Sequence, residues 1–359
     1  MADFIIVGAG LSGIAMAEEL LSAGYSVRVI DKSIQSASRV AGGIMNPVVL
    51  KRFTLAWNAD KQLKKAKEFY RDLEQKLSVD FFSELPVYRK FHSVEEQNNW
   101  FLAADKPSLG AFLDTKLLNS LNHFIPSRNK FGKVQETAVV DTETLLFEYK
   151  QYLQKIDSFS DEIFEYDAVE IDEENCSYKN HSCKGIIFCE GMGLINNPFF
   201  NYLPLRGNKG EYIIVRAAEL KLTVVVKSSI FIIPIGNDCY KVGATYNNHD
   251  KSVQPTLEAR EYLAAELSKT VSCGYEIVDQ VAGMRPASAD RRPFVGAHPV
   301  HPNLYCCNGF GSRGVLAAPT LAKQLLENIQ NGTSLPSDVD IIRFKKRFLR
   351  SSSYNEERN

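Results

Sequence analysis

The sequence lacks the marks of several protein classes. Lys and Arg total 42 against 43 for Asp and Glu, which leaves a formal net charge of -1 and argues against a dominant nucleic-acid-binding surface. No apolar run approaches the roughly 18 residues that span a bilayer. The start, MADFIIVGAG, has no basic segment before its apolar residues, so a secretory signal is not expected.

Cysteine and histidine are also sparse. The seven cysteines are odd in number, scattered and without a CxxC pair, which favours reduced thiols in a cytoplasmic protein. No metal site is predicted, because His298 and His301 lie in a proline-rich segment without a third ligand at suitable spacing. The remaining composition, 45% hydrophobic and 24% charged over 359 residues, is that of a globular protein with two domains or one large one.

The first thirty residues have the full pattern of a dinucleotide-binding βαβ unit. A short apolar strand leads directly into the string GAGLSG, a helical pattern follows to Gly24, and a second strand ends at Asp31. In such a unit the glycines allow a tight turn and bring a pyrophosphate to the helix N-terminus, while the acidic residue accepts hydrogen bonds from ribose hydroxyls. The pattern fits FAD and NAD equally. The predicted cofactor contacts here are Gly8, Gly10, Leu11, Ser12, Gly13, Asp31 and Lys32.

The rest of the chain alternates between helical and strand patterns. Helices are predicted over 58–77, 142–156, 256–270 and 315–329, and strands over 162–171 and 185–189. Short β-rich runs between 210 and 245 predict an antiparallel sheet. The predicted fold class is mixed α/β, a Rossmann-like cofactor domain with an inserted antiparallel β-sheet substrate domain.

The domain pattern predicted from these elements is discontinuous. The cofactor domain takes 1–80, 136–205 and 275–335, and the substrate domain takes 81–135 and 206–274. A C-terminal helix and tail take 336–359, where Ile341, Phe344 and Phe348 are expected to pack on the body of the protein.

A second strand, glycine turn and helix lie near the C-terminus. The strand at 303–307 precedes the turn from Gly309 to Gly314, whose N–H groups suit an anion or the polar edge of a ring. Arg285 and Arg313 accompany this turn, and a guanidinium binds a carboxylate through two parallel hydrogen bonds. Arg285, in the segment Gly-Met-Arg-Pro, is the stronger candidate.

These motifs together resemble those of the FAD-dependent amine and amino-acid oxidases, the superfamily of D-amino acid oxidase, glycine oxidase and sarcosine oxidase. The resemblance is carried by GAGLSG with Asp31, the AGGIMNP loop at 41–47, the segment 283–286 and the glycine turn. The string at 311–314 is also similar to the FAD oxidoreductase module of the bacterial enzyme that processes carboxymethylaminomethyl-uridine in the tRNA wobble position.

The resemblance implies FAD as the cofactor and a small amine or amino acid as the substrate. The FAD is expected to be non-covalent, because Cys306 and Cys307 are out of register with the flavin-linked cysteine of the sarcosine oxidases. Arg285 would bind the substrate carboxylate, with Arg313 and Tyr246 as further substrate contacts. The implied contacts with FAD, besides those named above, are Gly42, Gly43, Ile44, Val169, Gly191, Gly309, Phe310, Gly311, Ser312, Gly314, Val315 and Leu316.

The implied reaction moves a hydride from the carbon that bears the amine to the flavin, and water hydrolyses the resulting imine. No general base is assigned, since the amine can bind unprotonated, and the electron acceptor is O2 or unknown. Three alternatives stay open. They are a tRNA-modifying oxidoreductase, less favoured because of the net charge; a flavin-binding redox sensor without turnover; and a nicotinamide-dependent dehydrogenase, which gives the C-terminal glycine turn no role.

Overall fold

A computed structural model describes residues 2–32, 36–172 and 176–356, with side chains described to residue 351. The described helices are α1 Leu11–Ser22, α2 Ala59–Leu77, α3 Val94–Ala104, α4 Thr142–Lys155, α5 Leu257–Ser268, α6 Gly314–Asn331 and α7 Lys345–Glu356. The described strands are β1 Phe4–Val7, β2 Val27–Ile30, β3 Ile44–Met45, β4 Val48–Val49, β5 Thr54–Leu55, β6 Phe82–Ser83, β7 Val87–Lys90, β8 Phe131–Val134, β9 Ala138–Val140, β10 Phe159–Ser160, β11 Val169–Ile171, β12 Cys176–Tyr178, β13 His181–Cys183, β14 Gly185–Phe188, β15 Leu205–Arg216, β16 Val225–Lys227, β17 Phe231–Pro234, β18 Cys239–Gly243, β19 Glu276–Ser288, β20 Phe294–Ala297 and β21 Leu304–Asn308.

The chain divides into two compact units. Unit 1 comprises Met1–Arg39, Glu143–Asn208 and Met284–Asn359, and unit 2 comprises Val40–Thr142 and Lys209–Gly283. The division predicted from the sequence differs mainly at 40–80, which it gives to the cofactor domain. Which of these segments bind the cofactor and which bind the substrate stays a prediction.

Unit 1 is built on a six-stranded sheet in the order β10-β2-β1-β14-β21-β20. The first five strands are parallel, and β20 is antiparallel to β21. All four residues of β1 are buried, as expected for a strand covered on both faces. Because parallel strands end at the same edge of a sheet, this edge carries Gly8, Asp31, Glu190 and Gly309, which follow β1, β2, β14 and β21.

The core of unit 1 includes the C-terminal segment. Ile341 is buried in the same cluster as Phe188, Phe200 and Phe294, and Phe344 and Phe348 pack against that cluster. The predicted packing of these three C-terminal side chains is therefore confirmed.

Unit 2 is built on a seven-stranded sheet in the order β19-β15-β18-β17-β16-β7-β8. Most of its neighbouring strands are antiparallel, whereas β16 and β7 are parallel. Its core contains Ile213, Val226 and Ile232. The mixed α/β class, with a parallel and an antiparallel sheet, is thus confirmed.

The four helices predicted after the first are confirmed as α2, α4, α5 and α6, with ends that differ by at most two residues. The strand predicted over 162–171 is wrong in its first part. Tyr166–Ala168 is a 3-10 turn, closed by the Ala168 N–H on the Glu165 carbonyl at 3.1 Å, and only Val169–Ile171 is a strand. Across the described ranges, no helix is both long and apolar enough to cross a membrane.

Candidate functional site

The turn between β1 and α1 is fixed by close backbone packing. Gly8 has φ +101°, and a Cβ there would lie 2.6 Å from the carbonyl oxygen of Cys189. A Cβ on Gly13 would lie 1.9 Å from the carbonyl oxygen of Gly8. Both glycines are therefore required for α1 to start directly against the end of β1.

The N-terminus of α1 has the features of an anion site. Its N-cap, Gly10, has no side chain to satisfy the first-turn N–H groups, although the Leu11 N–H reaches Ser38 Oγ at 3.2 Å. A Cβ on Gly10 would meet only the side chain of Ser38, at 3.1 Å, so no neighbouring backbone demands glycine at this position. A helix N-terminus whose N-cap residue has no side chain fits the pyrophosphate of a dinucleotide.

The Ser12 side chain is bonded to strand β21. Its hydroxyl donates to the carbonyl oxygen of Cys307 at 2.5 Å, which fastens the first turn of α1 to β21. Only the main chain of Ser12 thus remains at the helix start for the predicted cofactor contact.

The other predicted adenosine contacts lie at strand ends of unit 1. Asp31 is partly buried, and its N–H donates to the carbonyl of Ser160 at 3.2 Å. Lys32 is exposed and forms an ion pair with Asp161 at 3.5 Å. Val169 begins β11 and faces Tyr178 in a small antiparallel sheet.

A partly buried carboxylate lies beside the predicted contact Gly191. Glu190 accepts hydrogen bonds from the Tyr166 hydroxyl and from Asn197 Nδ2, the latter at 2.7 Å. Burial raises the pKa of Glu190, while these two hydrogen bonds oppose the rise. Gly191 has φ +57°, and its carbonyl accepts from Asn308 Nδ2 at 3.0 Å, so the ends of β14 and β21 are connected.

The C-terminal glycine turn is bonded to the strand that carries Arg285. Gly309 and Gly311 have φ +79° and +59°, values that favour glycine. The Gly311 N–H donates to the Pro286 carbonyl at 2.9 Å, and Phe310 bridges to Ala287.

The helix after this turn, α6, begins at Gly314. Arg313 is its N-cap and makes no side-chain capping hydrogen bond. The N–H groups of Arg313 and Leu316 donate to the carbonyls of Phe310 and Arg313, both at 3.1 Å. The side chains of Val315 and Leu316 are buried, which leaves their main chain to meet a ligand.

Arg285 is positioned by a residue that the sequence patterns do not single out. Its Nη1 donates to Asn208 Oδ1 at 2.8 Å, and Asn208 is 9% exposed. This hydrogen bond helps to orient the guanidinium of Arg285. Arg285 is thus bonded to Asn208 and directly precedes Pro286, the residue that accepts a hydrogen bond from the glycine turn.

The remaining predicted residues belong to unit 2. Gly43 has φ +64°, and a Cβ there would lie 1.8 Å from the Val140 carbonyl oxygen; a Cβ on Gly42 would lie 2.9 Å from Ile233 Cδ1. Ile44 starts β3 and pairs with Val139. Close packing within unit 2 therefore favours glycine at both positions of this loop.

Tyr246 is 69% exposed, and the next residue is firmly anchored. Asn247 and Lys209 exchange two backbone hydrogen bonds, of 2.9 and 2.8 Å, and Lys209 Nζ contacts Asp250 at 2.6 Å. The side chain of Tyr246 therefore extends from a loop whose backbone is fixed.

Comparison with known proteins identifies the family of this chain. The sequence profile of the family described as DAO, FAD dependent oxidoreductase, matches residues 3–327. In fold the chain is similar to the crystal structure of glycine oxidase from Geobacillus kaustophilus, with a TM-score of 0.80 and 18% identity over 96% of this chain and 97% of that one.

Two curated relatives have a longer chain. The tRNA 5-methylaminomethyl-2-thiouridine biosynthesis bifunctional protein MnmC of Azoarcus sp. (strain BH72) is 30% identical over 184 residues, 44% of this chain and 28% of that protein. Its counterpart in Aromatoleum aromaticum is 25% identical over 404 residues, 94% of this chain and 58% of that protein. The chain therefore covers at most 58% of the length of either relative.

Proposed function

Because the chain belongs to the family of FAD-dependent oxidoreductases, we propose that it oxidises the carbon–nitrogen bond of a small amine or amino acid. Bound FAD would supply the acceptor for the hydride from the carbon that bears the amine, and water would hydrolyse the resulting imine. The observation that carries the proposal is the position of Arg285, which is bonded to Asn208 and directly precedes the residue that accepts a hydrogen bond from the glycine turn.

The cofactor-binding roles we propose follow from the strand ends of unit 1. The turn from Gly8 to Gly13 and the N-terminus of α1 would hold the pyrophosphate without a covalent bond to the protein. Asp31 would accept hydrogen bonds from the ribose, Lys32 would lie beside it, and the main chain of Val169 would meet the adenine.

The proposed roles at the reacting end divide between ring and substrate. The main chain of 42–44, Gly191 and the turn 309–316 would contact the flavin ring. Arg285 would bind the substrate carboxylate through two parallel hydrogen bonds, with Arg313 and Tyr246 as further contacts. Fixing the carboxylate fixes the direction of the C–H bond, which is the main contribution that these side chains make to the rate.

The proposal is tested by visible absorption of the purified protein. We expect a flavin spectrum that bleaches on anaerobic addition of glycine, sarcosine or a D-amino acid. Arg285→Ala should lower the rate of bleaching by a carboxylate substrate at least about 100-fold, because the hydrogen-bonded ionic contact with the carboxylate is lost. Unchanged bleaching in this variant, or a flavin that no amine reduces, would contradict the proposal. Reoxidation by O2 after bleaching then decides whether O2 is the acceptor.

A tRNA-modifying activity is the second candidate, favoured by the two bifunctional relatives. The lysine-rich helix α2 supports it only in part. Lys61, Lys64 and Lys65 lie on its outer side, but Lys67 is buried between Glu84 and Glu136, at 2.7 Å from each. Binding of tRNA should then weaken steeply between low and physiological salt. No binding at low salt would remove this candidate.

A flavin-binding redox sensor is the third candidate, and it predicts a flavin that substrate amines leave oxidised. A cytoplasmic location belongs to the proposal as well, supported by seven free cysteines. Fractionation of cells with an antibody against the protein would test it.

A further inference from the structure

A short hairpin in unit 1 brings two cysteines opposite each other. Strands β12 and β13 are joined through Lys179 and Asn180, whose φ values are +49° and +62°. Two central residues with positive φ are the turn that matches the twist of a tight hairpin. The turn therefore sets the register of the strands.

In this register, Cys176 and Cys183 are direct cross-strand partners. Their Sγ atoms are 3.2 Å apart, and the residues are only 2% and 6% exposed. A disulfide needs the sulfurs to approach to about 2.05 Å, so a displacement of about 1 Å is sufficient. The backbone is already in place, because the two residues are paired in the sheet.

We propose that Cys176 and Cys183 are a site of reversible oxidation, at which hydrogen peroxide converts the two thiols into a disulfide. The site lies outside the proposed flavin chemistry and does not depend on it. Peroxide is the oxidant class to which a thiol pair with a ready partner responds, through a sulfenic acid that the second thiol resolves.

The two sulfurs are suited to different steps. The contact between the two sulfurs lowers the pKa of Cys183 against the opposing effect of burial, and the same contact, together with burial, raises the pKa of Cys176. The Cys183 thiolate is therefore the nucleophile. It attacks one peroxide oxygen and forms a sulfenic acid, while the other oxygen leaves as hydroxide and takes up a proton.

The second step closes the ring. The sulfur of Cys176 attacks the sulfur of Cys183, its proton joins the departing hydroxyl, and a second water leaves. Both thiols have then been oxidised by two electrons in total, and one peroxide has been reduced to two waters. A dithiol reductant reverses the change by thiol–disulfide exchange.

The expected structural effect is local. Oxidation links β12 to β13, and β12 also pairs with β11, where Val169 faces Tyr178. Amide hydrogen exchange at Tyr178 and at Cys183 should therefore become slower in the oxidised protein, because opening of the hairpin is restricted.

The experiment uses the full-length holoprotein without amine substrate, so its result is independent of the oxidase proposal. The protein is treated with increasing hydrogen peroxide, alkylated under denaturing conditions and mapped by mass spectrometry. We expect a cross-linked peptide pair containing Cys176 and Cys183, two hydrogens lighter than the free peptides and released by a reductant.

Variants make the assignment specific. In Cys176→Ser we expect no cross-link and a sulfenic acid at Cys183 that a dimedone probe traps. Cys239→Ser and Cys273→Ser, which alter thiols of unit 2, should leave the cross-link unchanged. Two free thiols at peroxide concentrations that oxidise Cys239 and Cys273, or a link between Cys189 and Cys307 instead, would overturn the proposal. The wild-type map suffices for this decision even if a variant fails to fold.

Discussion

At the scale of single residues, a charge introduced at Asn208, which accepts a hydrogen bond from Arg285, tests the proposed contact between Arg285 and a substrate carboxylate. Asn208→Asp would place a carboxylate where the amide oxygen now lies, 2.8 Å from the guanidinium. The new ion pair should compete with a carboxylate substrate and raise its KM about tenfold or more, with a smaller change in kcat. Flavin reduction measured against substrate concentration separates the two constants.

The same substitution at Asn201, which is exposed in unit 1, is the matched control and should leave KM unchanged. A fall in kcat with an unaltered KM at Asn208→Asp would show that the contact does not orient a carboxylate-binding group.

His298 gives the molecule a dependence of stability on pH. Burial among aromatic side chains, and then the neighbouring His301, lowers the pKa of His298 to about 4 from 6.5. Its Nδ1 accepts backbone N–H groups of Val300 and His301 at 3.3 and 3.1 Å, which requires the neutral ring.

Because the unfolded chain binds this proton first, the free energy of unfolding should fall as the pH drops from 6.5 toward 4, by about 2 kcal/mol from His298. Urea unfolding at several pH values measures this slope. His298→Asn retains an acceptor but cannot be protonated, so its slope should be smaller. His123→Asn, at an exposed histidine, should keep the wild-type slope.

Local sequence patterns identify some residues of the candidate site but not others, because several of its contacts join residues that are far apart in the sequence. Gly8 and Gly13 are visible in the sequence because a local turn imposes their spacing. Asn208 lies 77 residues before Arg285, so no local pattern connects them. Glu190 likewise depends on Tyr166, 24 residues away.

At the scale of elements, two glycines of one turn should respond differently to alanine. Gly13→Ala forces a Cβ to 1.9 Å from the Gly8 carbonyl oxygen and should destabilise unit 1 by more than about 3 kcal/mol. Gly10→Ala meets only the Ser38 side chain, so the protein should fold but bind FAD at least about tenfold more weakly, because the methyl group blocks the pyrophosphate.

Thermal unfolding and FAD titration of the apoprotein distinguish the two effects. Gly274→Ala is the control, since nothing lies within 4 Å of its Cβ position. If Gly10→Ala bound FAD as tightly as the wild type, the N-terminus of α1 would not be the pyrophosphate site.

The predictability of each element follows the strength of its local pattern. Helix α2 has a clear apolar face and was predictable to within one residue. Residues 80–135 gave no prediction of individual helices and strands. Strand β7 there has the mixed sequence VYRK, and one of its two partners, β16, lies more than a hundred residues later. There, helix α3 depends on one local cap, Ser93 Oγ accepting the Glu96 N–H.

At the scale of the whole molecule, each unit has a core of its own. A core substitution in one unit should therefore destabilise that unit more than the other. Ile341 is fully buried in the core of unit 1, and Ile341→Ala should cost about 2–4 kcal/mol by leaving a cavity. Hydrogen exchange should accelerate in β1 and β14 more than in β17 and β18 of unit 2. Ile342→Ala, one residue on and 48% exposed, should change neither. Equal acceleration in both units would contradict separate cores.

The fold class was predictable because the two strand, glycine turn and helix motifs identify a parallel sheet. The unit boundary at 39–40 was not, since residues 40–80 join unit 2 through a distant contact, the pairing of Ile44 with Val139. Segments are assigned to units by such long-range pairs, which leave no periodicity in the sequence.

Because unit 1 is built from segments that are far apart in the sequence, the strands of its sheet are synthesised at different times. Strand β1 pairs with β14, and β14 pairs with β21, which begins at Leu304. At about 5 to 20 residues per second, roughly 15 to 60 s separate the synthesis of these outer partners. Through that interval helix α1 lacks its contact with β21, which Ser12 makes through the carbonyl of Cys307, so the nascent dinucleotide motif is a target for a chaperone.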